Sequence, residues 1–434
     1  MTQELQRRLE TLWGLERRHL KPGLAGTRAL LAGLGNPHAG FAAVHVAGTN
    51  GKGSVCALVE RVLRASGRRT GLFTSPHLVD FRERIRVDGR WADESALAER
   101  LSVIEMLAAG GPAPPTFFEV VTALAFDHFA REQVEWAVVE VGLGGRLDTT
   151  NVLTPAVCAI TSIGLDHTEI LGDTYVAVAF EKAGILKPDV PAITGVEQDT
   201  AASVIAQRAR EVGAPLRVAR DVAEVAIVQM GEWGTRLAVE CAPWGRFQLQ
   251  MRLHGGFQRD NARVALAVLA ELTRMDQTIE LDAVREGFAE ARWPGRLEPC
   301  PNERRLWWDG AHNLDGVRRL CAAWTDDLVL PPPAAIVFAA GRDKDARAML
   351  ARLHALAPEA AFVVTRTRSE RALQGDELLA LAESSGIRAE AAADVPAAVA
   401  RALRSTTGRV LLCGSLFAVG EAMAAFGGAP GECV

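Results

Sequence analysis

The residues of this chain with the most chemical potential fall in four short segments. "HVAGTNGKGS" (45–54) joins a predicted strand to a predicted helix. Gly48, Gly51 and Gly53 permit a tight loop whose backbone N–H groups can turn inward on a phosphate. Lys52 adds a point charge for β/γ oxygens, and the N-terminus of the following helix favours an anion. The common P-loop has four residues between its first glycine and its Gly-Lys pair, and this loop has two. The bland alternative is a tight turn with a solvated lysine. "LFTSPHLVDFRERI" (72–85) puts Ser75 at a strand end, where its hydroxyl can bind Mg²⁺ or merely start a turn. "WAVVEVGLGGRLDTTN" (136–151) runs a hydrophobic strand into Glu140. A buried carboxylate is costly unless paired or on a metal, so Glu140 faces Mg²⁺, turn N–H groups or Arg146. "ITSIGLDHTEILGD" (160–173) places Asp166 and His167 after another strand, as ligands or as structural hydrogen-bonders. One phosphate and metal site at the edge of one sheet explains all four segments together.

"AFEKAGILKP" (179–188) poses a separate question. Lys182 sits at a helix end among apolar residues. As an ammonium it can pair with Glu181 or Asp166, yet apolar surroundings favour the neutral amine.

The elements that must position these groups follow from hydrophobic periodicity. Ala42–Val46, Gly71–Thr74, Trp136–Val141 and Ala156–Ile163 read as buried strands, with helices at Ser54–Ala65, Phe118–Glu132 and Asp173–Ile185. Such interleaving predicts an α/β fold with a parallel sheet covered on both faces. Residues 216–253 carry short strands between turn glycines and prolines, which predicts an antiparallel meander, and a helix follows over about Gln258–Thr273. "WPGRLEP" (293–299) reads as a linker. Beyond it, strands at Leu306–Asp309, Ala335–Ala340, Ala361–Thr365 and Arg409–Cys413 predict a smaller Rossmann-like α/β domain. The alanine-rich stretch 389–403 reads as a helix. Domains of 1–295 and 296–434 result.

Bulk properties narrow the function class. The 434 residues carry a net charge of -5 and no basic run, which disfavours nucleic acid. Seven scattered cysteines without a CxxC pair suggest reduced thiols in a cytosol. The first eighteen residues read as a charged amphipathic helix rather than a signal peptide. No apolar run approaches the roughly 20 residues that span a bilayer. A soluble cytoplasmic protein with no membrane partner is expected.

The motif set resembles the folylpolyglutamate synthase and dihydrofolate synthase family, within the Mur ligase superfamily. HVAGTNGKGS, FTSPHL, TFFEVVTALAF, EVGLGGRLDTTN, TSIGLDHTEILGDT, EKAGILKP, WPGRLE and DGAHN look like its blocks, in its order, across residues 45–313. "LLAGLGNP" (30–37), "GRDKD" (341–345) and "GSLFAVG" (414–420) are weaker likenesses. The resemblance implies an N-terminal P-loop-type parallel-sheet ATPase domain followed by a glutamate-binding ligase domain. It implies ATP phosphates at Thr49, Asn50, Gly51, Lys52, Gly53 and Ser54, with further nucleotide contacts from Asn261, Arg296 and Asp309. It implies two Mg²⁺ ions, one on Ser75 and Glu140 and one on Glu140 and His167. Lys182 falls where the family carries an N6-carboxylysine, a CO₂-derived carbamate that turns a cation into an oxygen ligand for the metal. Thr116, Phe117, Phe118 and Glu119, with Leu147, Asp148 and Thr149, match pterin-binding positions. His312 and Ser415 match the glutamate site, and Lys52, Lys182 and His312 would carry the chemistry.

The activity so implied is an acid–amino-acid ligase using ATP as co-substrate. ATP phosphorylates a carboxylate of dihydropteroate or a folate, and the glutamate amine displaces phosphate from the acyl phosphate to leave an amide. The protein's part is positioning and charge neutralisation, with closure keeping water from the acyl phosphate. "WPGR" is the expected hinge, and Arg296→Ala is expected to raise the ATP requirement without unfolding the chain. TFFE and LDT suggest a bifunctional enzyme, with a monofunctional folylpolyglutamate synthase as the alternative. Family members are mostly monomers, so a monomer is expected. A Mur-type cell-wall ligase carries a UDP-substrate domain ahead of the ATP loop, where this chain has about forty residues. A P-loop kinase or switch ATPase has no need of Glu140, His167, Lys182 and DGAHN together.

Overall fold

The computed structural model describes residues 5–9, 12, 23–110, 114–275 and 277–431. The expected helix over the first eighteen residues lies largely outside them. The first sheet has eight strands: β1 (Ala42–Ala47), β2 (Thr70–Phe73), β3 (Ile85–Val87), β4 (Arg90–Trp91), β5 (Trp136–Glu140), β6 (Val157–Ile160), β7 (Ala192–Thr194) and β8 (Leu216–Val218). Their order is β4-β3-β2-β5-β1-β6-β7-β8. Strand β1 lies parallel between β5 and β6, with Val46 opposite Glu140 and Ala47 opposite Ile160. The β2, β5, β1 and β6 ends therefore come out together on one edge, as the sequence suggests.

These strands are apolar throughout because layers cover both faces. Val44, Val46, Leu72 and Val138 pack under the helices Lys52–Ala65 and Gly256–Arg274. Ala43, Phe73, Ala137 and Val139 pack against the helix Phe117–Arg131. A three-stranded antiparallel sheet, β9 (Ala223–Gly231), β10 (Gly234–Cys241) and β11 (Gly245–Met251), joins the first of these cores.

The third sheet is β12 (Glu298–Pro299), β13 (Leu306–Trp308), β14 (Ala335–Phe338), β15 (Ala361–Thr365), β16 (Ala389–Ala392) and β17 (Val410–Cys413), in the order β12-β13-β17-β14-β15-β16. All its pairings are parallel except β12 with β13. Alternate residues again feed two cores: Trp307, Ile336, Phe338 and Leu411 on one face, and Trp308, Ala335, Val337 and Leu412 on the other.

Four expectations change. Leu216–Val218 belongs to the parallel sheet, pairing with β7, so the meander begins only at Ala223. The first sheet's edge, β3 and β4, is antiparallel. Glu298 and Pro299 of the expected linker form β12. The alanine-rich stretch splits into β16 and the helix Val395–Ser405, because Asp394 caps Ala397 N–H and Pro396 suits a first helical turn. The six described cysteines are all buried and without disulfides. Among the described residues no helix is long and apolar enough to cross a membrane.

Candidate active site

The phosphate loop leaves β1 at Gly48. A Cβ there would lie 1.9 Å from the Thr161 hydroxyl, and φ is +150°, so only glycine fits without strain. Gly53 is equally confined, since a Cβ would meet the Trp293 indole at 2.3 Å. Thr49 N–H donates to the Ser162 carbonyl at 2.8 Å, and its hydroxyl bridges to Gly164. Asn50 N–H donates to the Ser162 hydroxyl at 3.1 Å. Thr49 and Asn50 thus tie the loop to the segment after β6. The inward donors are those of the helix's first turn, Lys52, Gly53 and Ser54, which no helix satisfies internally.

Glu140 ends β5 and is 5 % exposed. It accepts the Ser75 N–H at 3.1 Å, and Lys52 Nζ lies 3.9 Å away. Burial pushes its carboxyl up, opposed by Lys52, the Ser75 N–H and Arg296. Arg146 is not its partner, because that guanidinium bonds Glu181 at 2.8 Å. The same contact removes Glu181 as a partner for Lys182. Lys182 instead donates to the Gly48 carbonyl at 3.0 Å. Burial, then repulsion by Lys52, brings its ammonium down to about 7, against Asp166 and Asp148. The expected neutral amine is thus readily reached.

His167 stands in the left-handed region at φ +50°, and burial brings it down to about 4 despite Asp166. Its neutral imidazole has Nδ1 3.5 Å from Asp343. Asp166 takes the Lys344 ammonium and, at 3.0 Å, the Asn313 amide. Burial alone would raise it, but His312, His167 and Lys344 together hold it well below the carboxylate range.

The residues expected to hold the pterin also support the local fold. Thr116 and Glu119 form a reciprocal cap on the helix Phe117–Arg131, with Thr116 N–H on Glu119 at 2.7 Å. Asp148 accepts Leu143 N–H at 2.8 Å and the Thr150 hydroxyl at 2.5 Å, and that hydroxyl meets His45 Nε2 at 2.8 Å. Thr149 pairs with Thr122 at 2.5 Å, while Leu147 is exposed. These bonds fix the glycine-rich turn after β5.

From the third sheet, buried Asp309 attracts Arg296 and accepts Ala311 N–H at 2.6 Å. Burial lowers Arg296 against the pull of Asp309 and Glu140. Asn261 donates to Gln258 at 2.8 Å. His312 Nδ1 lies 2.8 Å from the Gly310 carbonyl, and Ser415 caps the helix Leu416–Phe426.

Every nucleotide, metal, pterin and glutamate residue expected from the sequence lines a single cavity of about 1180 Å³ between the first and third sheets. Arg84, Arg146, Trp293, Asp343, Lys344 and Arg371 line it as well and were missed. The motifs FRERI, GLGGR, WPGR and GRDKD that carry all of them but Arg371 were visible, but an isolated charge or indole has no spacing signal.

Comparison with known proteins agrees with this layout. Residues 46–269 match the Mur ligase middle domain, and residues 295–416 match the Mur ligase glutamate ligase domain. A dihydrofolate synthase/folylpolyglutamate synthase of Bacillus subtilis is 37% identical over 344 residues, covering 78% of this chain and 80% of that protein. The chain belongs to the folylpolyglutamate synthase/dihydrofolate synthase family. A family relative in Haloferax volcanii, a probable bifunctional folylpolyglutamate synthase/dihydropteroate synthase, is 38% identical over 430 residues and 95% of this chain. The chain spans about half of that protein, 49%. Among solved family structures, Mycobacterium tuberculosis folylpolyglutamate synthase complexed with ADP and AMPPCP superposes with a TM-score of 0.89 at 31% identity, covering 99% of both chains. A bifunctional folylpolyglutamate synthase/dihydrofolate synthase with Mn, AMPPNP and L-glutamate bound gives 0.81 at 29%, covering 96% of this chain and 97% of that one.

Proposed function

We propose that this protein is an ATP-dependent ligase that joins L-glutamate to dihydropteroate and to reduced folates through an acyl phosphate. The supporting observation is convergence: the phosphate loop, an acidic metal-type edge, the turn after β5 and the DGAHN segment face one cavity. Solved relatives with ADP, AMPPCP, AMPPNP, Mn and L-glutamate support the same substrates here. TFFE and LDT (116–119 and 147–149) favour both activities over a folylpolyglutamate synthase alone.

Residues 1–295 then form the ATP-binding part and residues 296–434 the glutamate-binding part. The first-turn N–H groups and Lys52 hold the triphosphate and keep its charge from repelling the acceptor carboxylate. Magnesium suits the donor set, since Glu140 and Ser75 are hard oxygen donors and Ser75 N–H already bonds Glu140. Among the described residues no cluster of three or more His, Cys, Asp or Glu can hold a metal. One ion would rest on Ser75 and Glu140 and a second on Glu140 and His167, with a carboxylated Lys182 as a further oxygen donor. When bound, the metal would polarise phosphoryl and carboxylate oxygens. His312 and Ser415 bring the amino acid to the acyl carbon, and closure of the cleft excludes water. Six described cysteines, all free, suit a reducing compartment, and we place the protein in the cytoplasm.

Glutamate-dependent ADP release with dihydropteroate, and separately with tetrahydrofolate, tests this. Release with both is expected; release with one leaves a monofunctional enzyme, and release with neither overturns the assignment.

A further inference from the structure

Asp166 is the point at which the third sheet grips the first. Its carboxylate is 8 % exposed and gathers three side chains from across the cleft. Lys344, in the loop after β14, ion-pairs with one oxygen and also lies 3.0 Å from Asp343. Asn313 donates to the other oxygen at 3.0 Å, and His312 Nε2 is 3.4 Å from it. On its own side, Asp166 accepts the backbone N–H of His167 at 2.9 Å. Asn313 in turn exchanges hydrogen bonds with Asn50 of the phosphate loop, at 3.3 and 3.2 Å. The carboxylate thus ties together the segment after β6, the DGAHN segment and the GRDKD loop.

Such a buried knot is more than a surface ion pair. Exposed pairs hold long side chains loosely and contribute little. Here Asp166 and Lys344 are nearly dry, so the loops keep their relative position only while both charges are present. His312, which Asp166 reaches at 3.4 Å, stands where the amino acid is expected.

We propose that Asp166, with Lys344 as its counter-ion, is a positioning residue for the amino-acid half of the reaction. It sets His312 and the GRDKD loop over the phosphate loop, so that the amine arrives in line with the acyl carbon. This rests on the ligase reading above. Nucleotide would be held chiefly by the first-turn N–H groups, Lys52, Asn261 and Arg296, which the knot does not touch. The knot reaches the phosphate loop only at one remove, through Asn313 and Asn50, so the larger effect falls on the amino acid.

The test compares Asp166→Asn, Lys344→Gln and the double variant with the intact chain. Each single variant is expected to raise the KM for glutamate about tenfold or more, with the KM for ATP within about twofold. The double variant is expected to be no worse than the worse single one, because both remove the same contact. Equal rises in both KM values, unchanged kinetics, or fully multiplicative losses would overturn the proposal. Hydrogen exchange of the unliganded proteins gives a second readout independent of activity. Faster exchange confined to residues 311–314 and 341–345 in Asp166→Asn supports the knot, and unchanged exchange there refutes it. If the intact chain releases no ADP with glutamate, the ligase reading and the positioning role fail together, while the exchange experiment still decides whether the knot exists.

Discussion

At the scale of single residues, two buried titratable groups make measurable demands. Lys182 is the more telling. Its ammonium lies at about 7, so near neutral pH a large share is the amine, the form that adds CO₂. We expect Lys182→Ala to lose nearly all activity and short carboxylic acids to restore part of it. Intact protein in bicarbonate should gain the mass of one CO₂; failure of rescue, or absence of that mass gain, would count against the carbamate. His45 makes a stability prediction instead. It is wholly buried, and burial, followed by the charge of Lys187, brings it down to about 3 from 6.5. The unfolded chain takes up a proton below pH 6.5 while the folded one refuses it until about pH 3. The stability of the neutral form is therefore complete above pH 6.5 and is lost as pH falls towards 3, by up to about 1.4 kcal/mol per pH unit. Urea unfolding of His45→Gln at pH 7 and pH 5 should show a flatter slope than the parent. An unchanged slope would assign the acid sensitivity to other groups.

At the scale of elements, the sheet edges were legible because long apolar runs and glycine-rich turns are strong local signals. Trp136–Val141 was read one residue too long at its C-terminal end, and Ala361–Thr365 was read as found. Of the short strands, β3, β4, β7 and β12 were not legible, since two to three residues are too few to show a period. Of the site, the phosphate loop and Glu140 were visible from residue type and spacing. Lys182 on the Gly48 carbonyl was not, because that contact joins residues 134 apart and depends on how the helix Tyr175–Ala183 docks. The loop itself yields a prediction. Gly48→Ala would drive a methyl into the Thr161 hydroxyl, which bonds the Asn50 carbonyl at 2.7 Å. ATP binding by calorimetry should weaken at least about tenfold, and unchanged affinity would mean that the turn has slack. The buried Arg296 charge attracts Asp309, so Arg296→Ala should raise the KM for ATP and lower the melting temperature without unfolding the chain. Arg296→Lys separates the two effects, with a raised KM for ATP at a near-parental melting temperature. If both variants keep the parental KM, Arg296 has no nucleotide role.

At the scale of the whole molecule, the cleft makes stability and ligand occupancy one quantity. A nucleotide analogue held by both the phosphate loop and the groups around Arg296 binds only the assembled chain. At a hundredfold excess over its Kd it should add about 2.7 kcal/mol to unfolding, read as a concentration-dependent rise in melting temperature. A flat melting temperature despite measured binding would mean that the site survives when the two sheets part. The contact of Trp293 with Gly53 carries one more consequence. An indole at the start of the linker, touching the loop proposed to take the triphosphate, is a native optical reporter. Its emission should change as nucleotide arrives and again as the cleft shuts, and Trp293→Phe should erase that signal from the other eight tryptophans. Stopped-flow fluorescence of the unlabelled protein would then time the closing of the cleft.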